Sequence, residues 1–564
     1  MLAKRKPSLI AIDEAHCISQ WGHDFRPDYR MLGQHLPLLR PAPVIALTAT
    51  ATPLVQRDIC EQLKLQDAAQ FVHGFRRDNI AIEVVEAPPS ERLSRIAEVL
   101  ADPARRPAIV YTPTRKQAEE VASELMRGFA ASAYHAGLDP EHRRKVQQEF
   151  LADKIEVMIA TIAFGMGIDK PNVRTVIHTA LPGSLEGYYQ EIGRAGRDGL
   201  PSRALLMQSY ADRHTHDFFL QRDYPDVTVL DHMFAALTEQ SVKKTHLQKH
   251  LKIDPDLFDK ALEKLWTHGG AGVDYEENIT RGEDRWRAAY LLQARQRSAQ
   301  IELVIRFSSS NACRMSTLVR HFGDVADTGT ACGLCDFCTP AACIAQRYRT
   351  ATEEERATLF RVLTALRSRG SQSTGKLYSG LFPTAEMSRD SFENILGGMA
   401  RAGLLLQTDE TFEKDGKRIP YRTVRLTQQG QQVDERSPIS FVMKDSSAPA
   451  RKAARRKKAN STRQPTERKR ATTGGQDEAK GDGKAPVAVD TSGLEEALRR
   501  WRLQEARRRS VPAFRIFNDQ VLRSIVSDLP RSSNQLLAIS GVGSNLVKQY
   551  GTQICSVVKQ NASS

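Results

Sequence analysis

Five short apolar runs constrain the first part of the chain more than any other feature: Leu9–Ile12, Val44–Thr48, Ala108–Tyr111, Val157–Thr161 and Thr175–His178. Each is followed by a loop or a helical stretch. Strands that read as continuous apolar runs, rather than alternating ones, are covered on both faces, which is the pattern of a parallel α/β sheet. In such a sheet ligands bind outside the carboxyl ends of the strands, so chemistry is expected where these runs stop.

The remainder of the 564 residues is organised differently. In segment 226–275, Thr245 is expected to cap a helix carrying Leu247 and Leu251. A second helix carries Leu257, Leu262 and Leu265 and is stopped by Gly269–Gly270. This reads as a small helix-turn-helix or winged-helix unit, or as an ordinary helical pair. Segment 285–324 is helical and basic and leads into a cysteine cluster. Segment 353–435 has helical patterns and then two alternating runs, Leu404–Thr411 and Ile419–Thr427, around the turn Lys414-Asp415-Gly416-Lys417. Helices followed by a hairpin suggest a winged helix. Segment 444–488 is rich in Lys, Arg, Gly, Thr and Pro and is expected to be a disordered linker. Segment 493–560 reads as a compact helical unit. No internal sequence repeat is evident.

The net charge of +14 suggests a polyanionic partner, most commonly nucleic acid. The charge is uneven, because residues 444–470 hold 11 Lys and Arg against 2 acids. No run approaches the roughly 18 to 20 apolar residues that a membrane span needs. The Met1 to Ile12 stretch does not have the form of a secretory signal. Eight cysteines are too few for a disulfide scaffold, so a reducing cytoplasm is the expected compartment.

Asp13, Glu14 and His16 follow the run Leu9–Ile12. A carboxylate at a strand end can hold Mg²⁺ while its neighbour orients a water against a γ-phosphate. The next polar loop holds Trp21, Phe25, Arg26 and Tyr29, and aromatic faces stack on unpaired bases while Arg pairs phosphates. Leu47-Thr48-Ala49-Thr50 ends another strand in hydroxyls. These residues resemble motif II, the aromatic-rich loop and motif III of RecQ-family DNA helicases of superfamily 2. Ile109–Arg115 resembles motif IV, Ile159–Lys170 motif V, and Tyr188–Gly199, with its Gln190-Glu191-Ile192-Gly193-Arg194-Ala195-Gly196-Arg197 core, motif VI.

The resemblance implies two RecA-like lobes around ATP, the first partial and the second complete. It implies that Asp13 holds Mg²⁺ and Glu14 orients the water. His16 would couple the nucleotide and DNA sites, and Gln190 would contact the γ-phosphate region. Arg197, or Arg194, would be an arginine finger, and Gly167 and Asp169 would belong to the nucleotide side. Trp21, Phe25, Arg26, Arg115 and Thr161 would contact DNA. Ile162 stands where the family usually carries a polar residue.

A motor of this kind also needs a phosphate-binding loop before motif II. Only eight residues precede Leu9, and none forms such a loop. The nearest match, Gly370–Leu377, has Leu377 in place of the Mg²⁺-binding hydroxyl and follows a basic helix rather than a strand. The sequence is therefore expected to be truncated before motif II, by a real truncation or a mis-set start, and to turn over ATP poorly as it stands.

Cys313, Cys332, Cys335 and Cys338 are spaced C-x₁₈-C-x₂-C-x₂-C, which suits a closed, structural Zn²⁺ site. The family pattern agrees. Segment 353–435 resembles the winged helix of the RecQ C-terminal region, with Phe412 as a candidate wedge at a duplex fork, and 493–560 resembles an HRDC domain. The expected division is 1–75 and 76–215 for the two motor lobes, 222–284 for an inserted helical or winged-helix unit, and 285–345 for the zinc module. It continues with 350–435 for the winged helix, 443–488 for the linker and 490–562 for the HRDC-like domain. The resemblance implies a 3′→5′ ATP-dependent helicase acting on single-stranded and forked duplex DNA in recombination and repair, in the bacterial nucleoid. The alternatives are a catalytically inactive DNA-binding remnant of such an enzyme and an RNA helicase.

Overall fold

A computed structural model of the chain describes residues 7–445 and 492–561, apart from 20, 23–25, 27–28, 30–31, 40, 66, 73, 166–167, 275, 385, 415–416, 436, 438, 510–512, 514–515, 540–541 and 543. The expected linker lies, from residue 446, outside the described residues.

The first two strands are shorter than expected. β1 (Ile10–Ile12) and β2 (Val44–Ala46) pair in parallel, with Ile10 opposite Val44. Beyond β2, Leu47 N–H donates to Ile12 O at 2.8 Å and Ala15 N–H donates to Leu47 O at 2.9 Å. The chain therefore crosses the end of β1, and Thr48 leaves the ladder. Helix α1 (Pro53–Gln62) seats Val55 and Ile59 against Ile12, Ala15 and Ile18 in a small core. The other side of the strand pair stays open, with Leu9, Ile45 and Leu47 at 55%, 43% and 46% exposure.

The second lobe runs β3 (Ile80–Glu86), α2 (Pro89–Leu100), β4 (Ala108–Tyr111), α3 (Arg115–Leu125), β5 (Ala131–Tyr134), α4 (Pro140–Leu151), β6 (Val157–Ala160), β7 (Thr175–His178), α5 (Leu185–Ile192) and β8 (Ser202–Gln208). The strands form one parallel sheet in the order β3-β8-β7-β4-β6-β5. β4, β6 and β7 are buried along their whole length, so apolar side chains pack on both faces. Thr114, Asp139 and Ser184 cap α3, α4 and α5 by accepting backbone N–H groups of the first turn. The apolar-run reading finds β4, β6 and β7 but misses β3, β5 and β8, and Thr161 lies just past β6.

After α6 (Tyr210–Asp223) comes α7 (Val227–Ala235), β9 (Val242–Lys243), α8 (Lys244–Leu251), α9 (Pro255–Thr267), β10 (Ala271–Val273) and β11 (Asn278–Arg281). This is a winged helix rather than a bare helical pair. The expected cap Thr245 lies inside α8, and Lys243 occupies the N-cap position without a side-chain hydrogen bond. The zinc module contributes α10 (Trp286–Ser309) and α11 (Arg314–Phe322).

A second winged helix is built from α12 (Glu353–Arg369), β13 (Gln372–Ser373), α13 (Thr374–Leu381), α14 (Arg389–Arg401), β14 (Leu405–Lys414) and β15 (Lys417–Leu426), following the short strand β12 (Tyr348–Thr350). Both winged helices share element order and strand order: first, third, second. The chain then returns as β16 (Val442–Lys444), pairing with β12, so residues 442–444 belong to this unit. Gly370–Leu377 spans β13 and the start of α13, so its phosphate-loop likeness falls within a winged helix.

Among the described residues, four helices follow: α15 (Ser492–Arg509), α16 (Asp519–Asp528), α17 (Ser533–Ala538) and α18 (Ser544–Asn561). Trp501 stacks on Phe517 and meets Tyr550 edge-on, as a core residue does. The α/β class with RecA-like sheet, zinc-binding helices, winged helices and helical C-terminal domain is borne out. No described helix is long and apolar enough to cross a membrane.

Candidate active site and zinc centre

A cavity of about 1170 Å³ opens between the ends of β1 and β2 and the second lobe, whose wall is formed by the segment before β3, the loop after β6 and the end of α5 rather than by the carboxyl ends of its strands. Its walls bring together Glu14 and Thr48 from one side and Asp169, Gln190, Arg194 and Arg197 from the other. Gln190 Nε2 lies 3.5 Å from Glu14 Oε1, bridging the two halves. Glu14 adopts a left-handed backbone (φ 49°), which turns the chain sharply after β1. Its N–H donates to Asp13 Oδ1 at 2.8 Å, so the two acids sit together, with Asp13 exposed. His16 is buried, with Nδ1 at 3.0 Å from Thr48 Oγ1 and 3.3 Å from Glu14 Oε2. One imidazole thus joins the residues after both front strands.

Across the cleft, Arg197 Nη1 donates to Asp169 Oδ1 at 2.9 Å and to Ile168 O at 3.1 Å. Arg194 is only 6% exposed, and its Nε has no hydrogen-bond partner among the described residues. Burial pushes the neighbouring Tyr111 phenol up, so it stays neutral and donates to Phe164 O at 2.9 Å, fixing the chain after β6. Gly167 lies outside the described residues.

The aromatic-rich loop is tied at several points. Ser19 Oγ donates to Asp58 on α1 at 2.6 Å. Trp21 packs partly against the small front core, and its carbonyl accepts from Gln300 Nε2 of α10 at 3.4 Å. Arg26 stacks on Tyr29. Phe25 lies outside the described residues. Arg115 is exposed at the start of α3, and Thr161 Oγ1 accepts from Ala163 N–H at 3.5 Å. Ile162 is 82% exposed. Phe412 is 45% exposed on the long hairpin and meets Tyr421 edge-on at 5.6 Å.

The four cysteine sulfurs lie within 4.8 Å of one another. Tetrahedral Zn²⁺ with bonds of about 2.3 Å requires sulfurs about 3.8 Å apart, so the donor set fits. Cys313 is the N-cap of α11, and backbone N–H groups of Cys332 and Arg314 point at Cys313 Sγ (3.2 Å) and Cys335 Sγ (3.5 Å). Hydrogen bonding from Cys332 draws the Cys313 thiol below its ordinary value, toward the thiolate a metal binds.

Sequence reasoning missed how firmly this module is joined to the motor. Arg314 and Asp336 are both buried and form a bidentate pair, at 2.8 and 2.9 Å. Asp336 N–H donates to Ile82 O of β3 at 3.0 Å. Glu83, also in β3, accepts from the backbone N–H groups of Ile344, Ala345 and Gln346. Phe322 stacks on Phe75 at 4.8 Å, and its carbonyl accepts from Gln56 of α1. The only local signal was the charge of Asp336 between two metal-ligand cysteines.

A six-stranded parallel sheet beside a cleft lined by acids and arginines, joined to a four-thiolate cluster, defines a nucleic-acid motor lobe carrying a zinc module. Residues 91–199 match the helicase conserved C-terminal domain family, 282–339 the RecQ zinc-binding family and 492–558 the HRDC domain family. The ATP-dependent DNA helicase RecQ of Bacillus subtilis (strain 168) is 30% identical over 559 residues, covering 96% of this chain and 75% of that protein. The ATP-dependent DNA helicase RecQ of Haemophilus influenzae is 28% identical over 579 residues, covering 100% of this chain and 76% of that protein. The chain belongs to the RecQ family of ATP-dependent DNA helicases. Over a shorter stretch identity is higher: the probable ATP-dependent DNA helicase RecS of Bacillus subtilis (strain 168) is 45% identical over 219 residues, 38% of this chain and 44% of that protein.

Proposed function

We propose that these residues belong to an ATP-driven motor that moves 3′→5′ on single-stranded DNA and opens forked duplexes in recombination and repair, in the cytoplasm at the nucleoid. The observation that carries this reading is the shared cleft, with Glu14 on one wall and Gln190, Arg194 and Arg197 on the other. Asp13 would hold Mg²⁺, whose charge offsets that of the phosphates. Glu14 orients the attacking water, and His16 passes the state of the site to Thr48 and the aromatic loop. Arg197 exchanges Asp169 for the γ-phosphate, where a guanidinium stabilises transition-state charge by about 10³ to 10⁵ in rate. Gly167 and Asp169 border the nucleotide. Trp21, Phe25, Arg26, Arg115 and Thr161 hold the single strand, and Phe412 wedges at the fork.

A second reading is a catalytically inactive DNA-binding remnant of such an enzyme; the nearest phosphate-loop match in the sequence, Gly370–Leu377, spans a winged-helix turn and does not argue against it. One assay separates the readings: ATP hydrolysis by the purified chain with and without single-stranded DNA, alongside Glu14→Gln and Arg197→Ala. DNA-stimulated hydrolysis lost in both variants carries the motor reading for this polypeptide. Background hydrolysis in all three, with DNA binding intact, carries the second. Stimulation by RNA in preference to DNA would count against both.

A further inference from the structure

We infer that the inserted winged helix, 227–281, is a protein-docking module rather than a DNA reader, and that its partner is the HRDC domain of its own chain. The charges set the argument. A winged helix that reads DNA presents cations to phosphate. Here the wing between β10 and β11 carries Asp274, Glu276 and Glu277, and α9 carries Asp256, Asp259 and Glu263 against Lys260 and Lys264. The facing HRDC helix, α15, carries Arg499, Arg502 and Arg507.

These groups meet in one cluster. Lys244, the first residue of α8, is 1% exposed and lies 2.9 Å from Asp259 of α9 and 3.4 Å from Asp519 of α16. Arg502, also 1% exposed, is 3.0 Å from Glu277 on the wing and 2.9 Å from Asp519. Arg499 adds a contact to Asp519 at 3.4 Å, and Arg507 reaches Glu276 at 2.5 Å on the rim. Lys and Arg are almost never this buried unless paired. Taking Lys244 and Arg502 out of water is costly, and each is compensated partly by acids of the other domain. The wing and the start of α8 are thereby occupied by the HRDC helices.

The dock is also continuous with the motor. Trp286 and Tyr290 of α10 are part of the insert's core, and Gln300 of the same helix reaches the Trp21 carbonyl. An HRDC domain seated on the insert is therefore held at one end of a single helix whose middle touches the aromatic loop.

Hydrogen exchange of the full-length chain tests the assignment, with light scattering for mass and X-ray scattering for shape. Lys244→Glu is expected to enlarge the radius of gyration and to speed exchange in 244–251 and 499–503 about a hundredfold, the factor matching loss of one partner from a buried pair. Protection in the HRDC core around Ile554 stays unchanged, which separates undocking from unfolding. Rim variants Glu276→Arg and Arg507→Glu each loosen the dock, and the two together restore it to within roughly threefold. Wild-type exchange equal to that of Lys244→Glu overturns the dock. A double swap no better than the single variants overturns the charge argument. Protection that disappears on dilution along with a dimer overturns the intrachain partner.

Discussion

Replacing Asp336 with alanine removes the carboxylate that joins the zinc module to β3. In the wild type, Arg314 Nε and Nη2 donate to the two Asp336 oxygens at 2.8 and 2.9 Å, and Nη1 donates to Phe307 O and Ser310 O at 2.7 and 2.8 Å. Both side chains are essentially buried, at 3% and 1% exposure. After Asp336→Ala the guanidinium keeps its two carbonyls but stays charged and buried without the carboxylate that paired it. Loss of one partner from such a pair costs about 3 to 5 kcal/mol. Two charge-assisted hydrogen bonds at about 1.5 to 3 kcal/mol each give about 3 to 6 kcal/mol, an overlapping range. The former corresponds to roughly two to three and a half orders of magnitude in the local folding equilibrium. A chain of several domains has no single unfolding free energy. The readouts are therefore local: amide exchange in Arg314–Phe322 and the rate of zinc loss to a chelator. Asp336→Ala is expected to accelerate both by about a hundredfold or more. The double variant Arg314→Met with Asp336→Ala removes both charges and is expected to recover most of the loss. A single variant within about 1 kcal/mol of wild type, or a double variant no better than the single, would refute the reasoning.

Metal analysis is expected to find one zinc per chain, and Cys332→Ser or chelation to release it and expose 313–338 to protease while the parallel sheet stays folded. The HRDC dock is expected to weaken in acid. Burial alone would raise the Asp519 carboxyl, but Arg502, Lys244 and Arg499 hold it down to about 2, so its contribution is full above the ordinary value of 3.8 and is lost as pH falls toward 2. Asp259, raised by burial, works in the opposite sense, since its protonation relieves the cost of burying its charge, so the acid opening is carried by Asp519 and scattering across pH 2 to 6 follows it. The open side of β1–β2 is expected to bind an apolar dye, and Leu47→Ser to reduce that binding while changing stability by less than about 0.5 kcal/mol, because the side chain is half exposed. Unchanged dye binding would show that another surface takes up the dye.

What the sequence reveals here follows from how far apart the cooperating residues lie. The cleft residues sit in contiguous motifs, after β1 and β2 on one side and in and around α5 on the other, and each run of four or five apolar residues announces its own strand. β4, β6 and β7 are legible for that reason. β3 is hidden because Glu83 interrupts its apolar run. A buried carboxylate is tolerated there only because backbone N–H groups of 344–346 come to meet it, and nothing near position 83 says so. β5, Ala-Ser-Ala-Tyr, is too small and polar to stand out, and β8 opens on Ser202 and Arg203. The two winged helices share a topology without a sequence repeat, since order of elements rather than identity of residues defines them.

The start of α8 shows the same limit from the other side. The sequence reading takes Thr245 as the cap and gives Lys244 no role, yet Lys244 is the buried residue, fixed by one acid on the next helix and another far along the chain. A lysine or glutamate inside an apolar pattern is therefore not noise in that pattern. Desolvating it is so unfavourable that a partner must exist, and Glu83, which breaks such a run, is like the buried Lys244 and Asp336 in lying where two of this chain's domains are joined.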